Sequence, residues 1–131
     1  MLEREQIQML RKPNFAHLAT VAPDGSPQVT PVWVDVREDE DLILVNTAEG
    51  RRKVKNIRQN PQVAIDVIEQ ENPYNMVSIK GEVVDITAEG ADEHIDSLAK
   101  KYLGKDKYPF RQPGEKRLIL KIRPERVAKA A

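Results

Sequence analysis

From Phe15 onward the sequence alternates apolar and polar residues with a period of two, and clusters of Pro, Asp, Asn and Gly interrupt the alternation at short intervals. A period of two with one apolar face is the pattern of a half-buried strand, and short connections between such runs favour antiparallel neighbours. Phe15 to Val21 reads as a first strand, Ala22-Pro23-Asp24-Gly25-Ser26 as a turn, and Pro27 to Val36 as a second strand. The acidic stretch Arg37 to Asp41 turns the chain into a third, Leu42 to Thr47. Three consecutive strands joined in this way form an antiparallel meander.

Helical segments interrupt the strands. Residues 3–11 place Ile7 and Leu10 among charged neighbours and stop before Pro13, which predicts a short N-terminal helix. After Gly50 the period lengthens: Val54, Ile57 and Arg58 recur at helical spacing over Arg51 to Gln59, and Asn60-Pro61 ends the run. Val63 to Ile68 and Met76 to Ile86 resume the strand pattern, with Gly81 as a candidate bulge. Thr87 is placed to cap a helix from Ala88 to Leu103, whose Ala91, Ile95, Leu98, Ala99 and Tyr102 form one apolar face before Gly104. A loop, Lys105 to Lys116, leads to a last strand from Arg117 to Ile122. The sum is a mainly β, α+β chain: a small antiparallel barrel interrupted by helices, not a parallel sheet.

Composition narrows the function classes. A length of 131 residues fits one domain over the whole chain. The absence of cysteine removes disulfides, thiolate metal ligands and a cysteine nucleophile. Lys plus Arg and Asp plus Glu both number 21, and zero formal charge argues against a nucleic-acid partner, which calls for a basic excess. No run approaches the roughly 20 apolar residues that span a bilayer, and the beginning MLEREQIQMLRK lacks the apolar middle of a signal peptide. The expected location is the cytoplasm, with no membrane partner.

The segment Asn46 to Ile57 carries the strongest chemical signal. A strand delivers Thr47 and Gly50 to a helix start, where free backbone N–H groups and the helix dipole attract anions, and Arg51, Arg52 and Lys53 crowd that first turn. Cations there are locally unfavourable unless an anion, such as a ligand phosphate, sits among them. The competing reading is a solvated basic face balanced by the acids Glu38 to Asp41. A second signal is Pro31, which cannot donate to a ladder inside an otherwise strand-like Val29 to Val34; it demands an edge or an unpaired stretch, with Thr30 and Trp33 beside it. The turns around Tyr74 and at Tyr108-Pro109-Phe110-Arg111 suit a cover over a ligand or a subunit contact, or ordinary loop packing. His17 reads as a core or interface residue and His94, beside Asp92 and Glu93, as solvent-facing. Two distant histidines without cysteine lack the spacing of a zinc or iron site, so no metal is expected.

Together, Ala19-Thr20-Val21, the Asp24-Gly25-x-Pro27 turn, Thr30-Pro31-Val32-Trp33, Asn46-Thr47, and Gly50-Arg51-Arg52-Lys53-x-x-Asn56-Ile57 followed by Asn60-Pro61 resemble the pyridoxamine 5′-phosphate oxidase-like split β-barrel superfamily. The resemblance runs from about Phe15 to Ile122. Within it, Gly81-x-Val83-x-x-Ile86 and the Asp92-Glu93-His94-Ile95-Asp96 helix with its Tyr102-Leu103-Gly104 end are similar to the branch of flavin/deazaflavin oxidoreductases that uses coenzyme F420.

That resemblance implies a six-stranded antiparallel split β-barrel with flanking helices, and a homodimer with cofactor sites at the subunit interface. The implied cofactor is F420, with FMN as the alternative. It places the cofactor phosphate at Arg52 and Lys53, with Thr47 and Asn56 close by. Arg51, Lys55 and Arg58 are implied for the cofactor's acidic tail. The ring is placed against Ala19, Thr20, Thr30, Pro31, Val32, Trp33 and Asn46. Where true pyridoxamine phosphate oxidases carry an arginine and a lysine on the second strand, this chain has Thr30 and Asp35, so the implied reaction is not vitamin B6 oxidation. It is hydride transfer between F420 and a small electron-poor organic substrate, with no catalytic side chain assigned because the cofactor carries the chemistry. An FMN-binding flavin reductase-type protein and a non-catalytic flavin or tetrapyrrole binder are the other readings.

Overall fold

A computed structural model describes residues 1–129. Helix α1 (Arg4–Arg11) precedes β1 (Ala16–Val21), β2 (Pro27–Val32), β3 (Val34–Arg37), a 3₁₀ turn (Glu38–Glu40) and β4 (Leu42–Ala48). Then come α2 (Arg52–Gln59), β5 (Gln62–Ile68), β6 (Met76–Thr87), α3 (Ala91–Leu103) and β7 (Arg117–Lys129). All pairings are antiparallel, in one sheet ordered β2-β1-β5-β6-β7-β4-β3.

That order forces the sheet to roll. β2 and β3 are its two outermost strands, yet only Trp33 separates them in sequence. Laid flat, six strand spacings would hold those edges about 29 Å apart, whereas one residue advances a chain by less than about 4 Å. The sheet therefore curls until its ends meet at Trp33, giving a split barrel closed by the covalent chain. The expected Pro27 to Val36 strand is thus two strands, and the count rises from six to seven. Pro31 sits on edge strand β2 opposite His17, so its missing N–H costs no ladder bond beyond the sheet.

Two boundaries differ from expectation. Thr87 Oγ1 accepts the Glu89 N–H at 3.1 Å in a turn, and α3 begins only at Ala91, behind Gly90 in the left-handed region at φ 74°. β7 runs past Ile122 and through Pro124 because the register with β6 shifts at Lys80/Gly81, which pairs Gly81 with Pro124. A Cβ at Gly81 would lie 2.7 Å from the Arg123 carbonyl oxygen and 2.9 Å from Ile122 Cγ2, so only glycine fits this bulge.

The barrel interior is filled by Leu10, Leu18, Val34, Ile43, Val45, Ile65, Val67, Ile79, Leu120 and Ile122, all buried. Outside the barrel, Leu42, Leu44 and Ile119 pack with Ala91 at the start of α3, so β4 is covered on both faces. Of the acids after β3, two are taken by the N-terminal segment and one by Arg37: Glu38 pairs with Arg11 at 2.7 Å and Arg4 at 3.5 Å, Asp41 with the amino terminus at 3.2 Å, and Glu40 with Arg37 at 3.6 Å. They do not balance α2. No helix among the described residues is long and apolar enough to cross a membrane.

The closure at Trp33 leaves edge backbone groups that α3 satisfies. Tyr102 Oη accepts the Val34 N–H at 3.1 Å and donates to the Asn14 carbonyl at 2.6 Å. Lys101 Nζ donates to the Leu10 and Val34 carbonyls at 2.5 and 2.6 Å. Burial lowers the Lys101 pKa from 10.5 to about 8, against the pull of Asp35, and raises that of Tyr102 from 10.0 to about 12.

The folded chain therefore holds the Lys101 proton less tightly than the unfolded chain does. Between pH 8 and 10, below the range in which Tyr102 titrates, the unfolded state binds more protons at this site. Urea unfolding across that range should show wild-type stability rising with pH relative to Lys101→Met. Parallel pH profiles for the two proteins would contradict the assignment.

Candidate functional site

Where β2 parts from β3, a cleft of about 340 Å³ opens. The strand break supplies Pro31, Val32 and Trp33, β4 supplies Asn46 and Thr47, and β7 supplies Arg117. The start of α2 adds Arg51 and Lys53, α3 adds Ile95, and Phe15, Tyr108 and Phe110 come from connecting segments.

One wall is aromatic. Trp33 stacks on Tyr102 with centroids 5.1 Å apart and planes 6° from parallel, and Tyr108 meets Trp33 edge-on at 6.0 Å. Phe15 continues the row from Tyr102 and Phe110 from Tyr108, so five of the chain's six aromatic side chains form one connected group here. Asp96 holds the segment that carries Tyr108. It accepts the Tyr108 N–H at 2.8 Å and Arg111 Nη2 at 3.0 Å, and that backbone bond does most to keep its carboxyl below the ordinary range.

The other wall is cationic. Arg51, Lys53 and Arg117 line the cleft, and among the described residues no acid does. Burial, followed by repulsion from Arg51 and Arg117, lowers the Lys53 pKa. The first turn of α2 contains no acid and no side chain caps it; the Arg51 and Val54 N–H groups bond to the Ala48 and Arg51 carbonyls, which leaves those of Arg52 and Lys53 for a ligand. Arg117, itself buried, donates through Nη1 to Glu115 at 2.9 Å and through Nε to Asn46 Oδ1 at 2.9 Å, and its guanidinium lies 5.1 Å from the Tyr108 ring centre.

Asn46 joins three elements, since its Nδ2 reaches both the Ala91 carbonyl at 2.9 Å and His94 Nδ1 at 3.1 Å. His94 is thus an interior residue, with its side chain only 9% exposed, not the solvent-facing residue expected. One turn into α3, it points inward toward β4, and its Nε2 lies 3.7 Å from Asp35 Oδ2. Burial opposes ionisation of Asp35, but His94, the Val36 N–H and Lys101 together outweigh it and hold the carboxyl below its usual range.

The cleft takes in seven of the twelve residues singled out from the sequence: Pro31, Val32, Trp33, Asn46, Thr47, Arg51 and Lys53. Arg52 stands exposed and off the cleft, because one residue of helix turns its side chain about 100° from that of Lys53. Asn56 and Thr20 are buried beside it: Asn56 Nδ2 donates to Thr20 Oγ1 at 3.0 Å, tying α2 to β1. Ala19 lies on the half-buried outer face of β1, opposite Val29 and Ala64. Thr30 Oγ1 is buried with no hydrogen-bond partner, one residue before the rim at Pro31. Among the functional candidates, Arg117 was not identified from sequence. Its only signal there is a charged residue opening an apolar strand, and pairing with Ala48 brings it beside the helix start.

The donor set fits a planar ring that carries an anionic group: aromatic faces on one side, partly or wholly buried Lys53 and Arg117 with the uncapped helix start on the other. The model of the family described as pyridoxamine 5′-phosphate oxidase matches residues 2–130. The chain belongs to that family. Among solved structures, one named F420 reductase is 30% identical, with a TM-score of 0.82 over 97% of this chain and 98% of that one. A conserved hypothetical protein from Mycobacterium tuberculosis (23% identity, TM-score 0.74, 99% of this chain and 84% of that one) shares the fold. So does an FAD-binding protein from Mesorhizobium loti (20%, 0.65, 99% and 96%). No curated protein matches.

Glu115 is the carboxylate that offsets this charge, bonded to Arg117 and 3.9 Å from Arg51. Glu115→Gln should lower stability by about 1–3 kcal/mol, since it leaves a buried guanidinium less well paired. It should at the same time tighten binding of inorganic pyrophosphate, read by calorimetry alongside urea unfolding. A variant unchanged in both would show that Glu115 does not neutralise the cluster.

Proposed function

We propose that this protein is an F420-dependent oxidoreductase that passes a hydride from the reduced deazaflavin to a small electron-poor organic acceptor. The observation that carries the reading is the convergence of Arg51, Lys53 and Arg117 on an aromatic-lined cleft. The 30% identity to a structure named F420 reductase supports the choice of cofactor. Bound F420 supplies the hydride, and the acceptor takes it up together with a proton from solvent.

The chain's own residues bind and orient. Lys53 and Arg117 receive the cofactor phosphate, helped by the Arg52 and Lys53 N–H groups at the start of α2, and Arg51 extends the same charge toward solvent. Trp33, Tyr108 and Phe110 exclude water from the ring. Asn46 and Thr47 line the floor. Among the described residues no acid lines the cleft, so no side chain is assigned as proton donor.

Two tests follow from the reading. Purification from a host that makes both cofactors, with absorbance and mass spectrometry of the bound species, should find F420; tight FMN with no affinity for F420 would replace the reading by a flavin reductase-type protein. F420 binding without transfer to any enone, quinone or bilin acceptor would favour a sequestering role. Lys53→Ala and Arg117→Met should each weaken F420 by about tenfold or more, while Arg52→Ala should cost under about threefold.

The active form is a homodimer in which a second copy covers the outer face of β1 and β2. Phe15 and Val29, 52% and 59% exposed, are the large apolar side chains that the second copy would cover. Light scattering should give twice the chain mass, and Val29→Glu should shift it toward the monomer. A monomeric wild type would remove this part of the reading.

A further inference from the structure

We propose that His94 is a positioning residue of the anion seat: by accepting a hydrogen bond from Asn46 it orients the amide that anchors Arg117, and its protonation releases that anchor. The inference rests on the reading that Arg51, Lys53 and Arg117 receive the ligand's phosphate, and it deepens that reading.

The donors and acceptors leave little freedom. Arg117 Nε can only donate, and it lies 2.9 Å from Asn46 Oδ1. The amide oxygen therefore faces β7, and the NH₂ group faces α3, where it meets the Ala91 carbonyl at 2.9 Å and His94 Nδ1 at 3.1 Å. His94 Nδ1 must then carry its lone pair. In the neutral ring the proton sits on Nε2, which has no hydrogen-bond partner and faces Asp35 Oδ2 at 3.7 Å. In this state Arg117 is held by Nε and by Nη1 on Glu115, which leaves Nη2 for a ligand.

Protonation places a hydrogen on Nδ1 against the NH₂ of Asn46, donor facing donor. A half-turn of the amide would turn Oδ1 to His94, but it would then set NH₂ against Arg117 Nε. One of the two bonds must be lost, and the seat loosens with it. The charged groups around the imidazole are Asp35 on β3, Lys101 further along α3 beside Asp35, and Arg117 with Glu115 beyond Asn46. Asp35 Oδ2 faces the Nε2 side of the ring at 3.7 Å.

The test uses the full chain between pH 8 and 5.5, the range in which histidine ordinarily changes charge. Nitrogen-15 spectra should show the Nε2–H tautomer of His94 at pH 8, and the Arg117 Nε–H resonance should move with the His94 titration. F420 and FMN affinities are compared with wild type at each pH, which cancels titration of the ligand itself. Wild-type affinity should fall about tenfold more across this range than that of His94→Asn, whose Oδ1 replaces the Nδ1 acceptor but cannot be protonated. His94→Leu should weaken binding at both ends. An Nδ1–H tautomer, an Arg117 resonance indifferent to the titration, or an His94→Asn profile identical to wild type would each overturn the proposal. If neither cofactor binds at any pH, the phosphate reading fails, and the two spectroscopic results still decide whether His94 positions Arg117.

Discussion

The break at Trp33 is the constraint on which the rest of the molecule depends. Closing a seven-stranded sheet through one residue leaves the outer edge of β3, beside the last turn of α1 and the link to β1, with backbone groups that no strand can pair. Two neighbouring residues of α3, Lys101 and Tyr102, satisfy four of them: the Val34 N–H and the carbonyls of Leu10, Asn14 and Val34. A lysine buried for this purpose is costly, as its lowered pKa shows, and Asp35 on β3 offsets part of that cost. The same Tyr102 lies flat on Trp33. The contact that closes the barrel therefore also sets the aromatic wall of the cleft.

The site follows from that closure. Once the edges meet, the ends of β2, β4 and β7 and the start of α2 converge, and each contributes the residues nearest its end. Asn46 lies on the side of β4 that faces α3, and its single amide meets Arg117, Ala91 and His94. Two strands and a helix are thus tied together next to the cationic wall. Rigidity of this kind suits the cofactor-holding role proposed above.

Most of the elements were legible because their periods are local. The alternation of β1, β4, β5 and β6, the helical spacing of Val54 and Ile57, and Gly81 at the bulge all appear in short windows. What was not legible is long-range. The strand from Pro27 to Val36 looks continuous, since nothing in its alternation says that its halves pair at opposite edges of the sheet. β7 passes Pro124 only because a register shift in β6, some forty residues earlier in the chain, receives it. In the site, the residues of the Asn46 to Lys53 segment were readable because a strand and a helix start adjoin in sequence. Arg117 and His94 were not, because the first reaches the cleft through its pairing with Ala48 and the second through a helix whose charged neighbours, Asp92 and Glu93, mask its inward face.

The distribution of acids explains how a chain of zero net charge sustains a cationic cleft. Glu49 is held by Arg58 in a two-pronged pair at 2.6 and 2.9 Å, and Glu38 and Asp41 by the N-terminal segment. Asp92 and Asp96 hold Arg111. These acids have partners elsewhere, and among the described residues it is Glu115 that faces Arg51 and Arg117. Natural sequences break local rules chiefly where function requires it. Three cations with one carboxylate, at a helix start that itself repels cations, form such a break. The depressed proton affinity of Lys53 measures its cost in the absence of ligand, and an arriving anion is the one change that would relieve Lys53, Arg51, Arg117 and the helix start together.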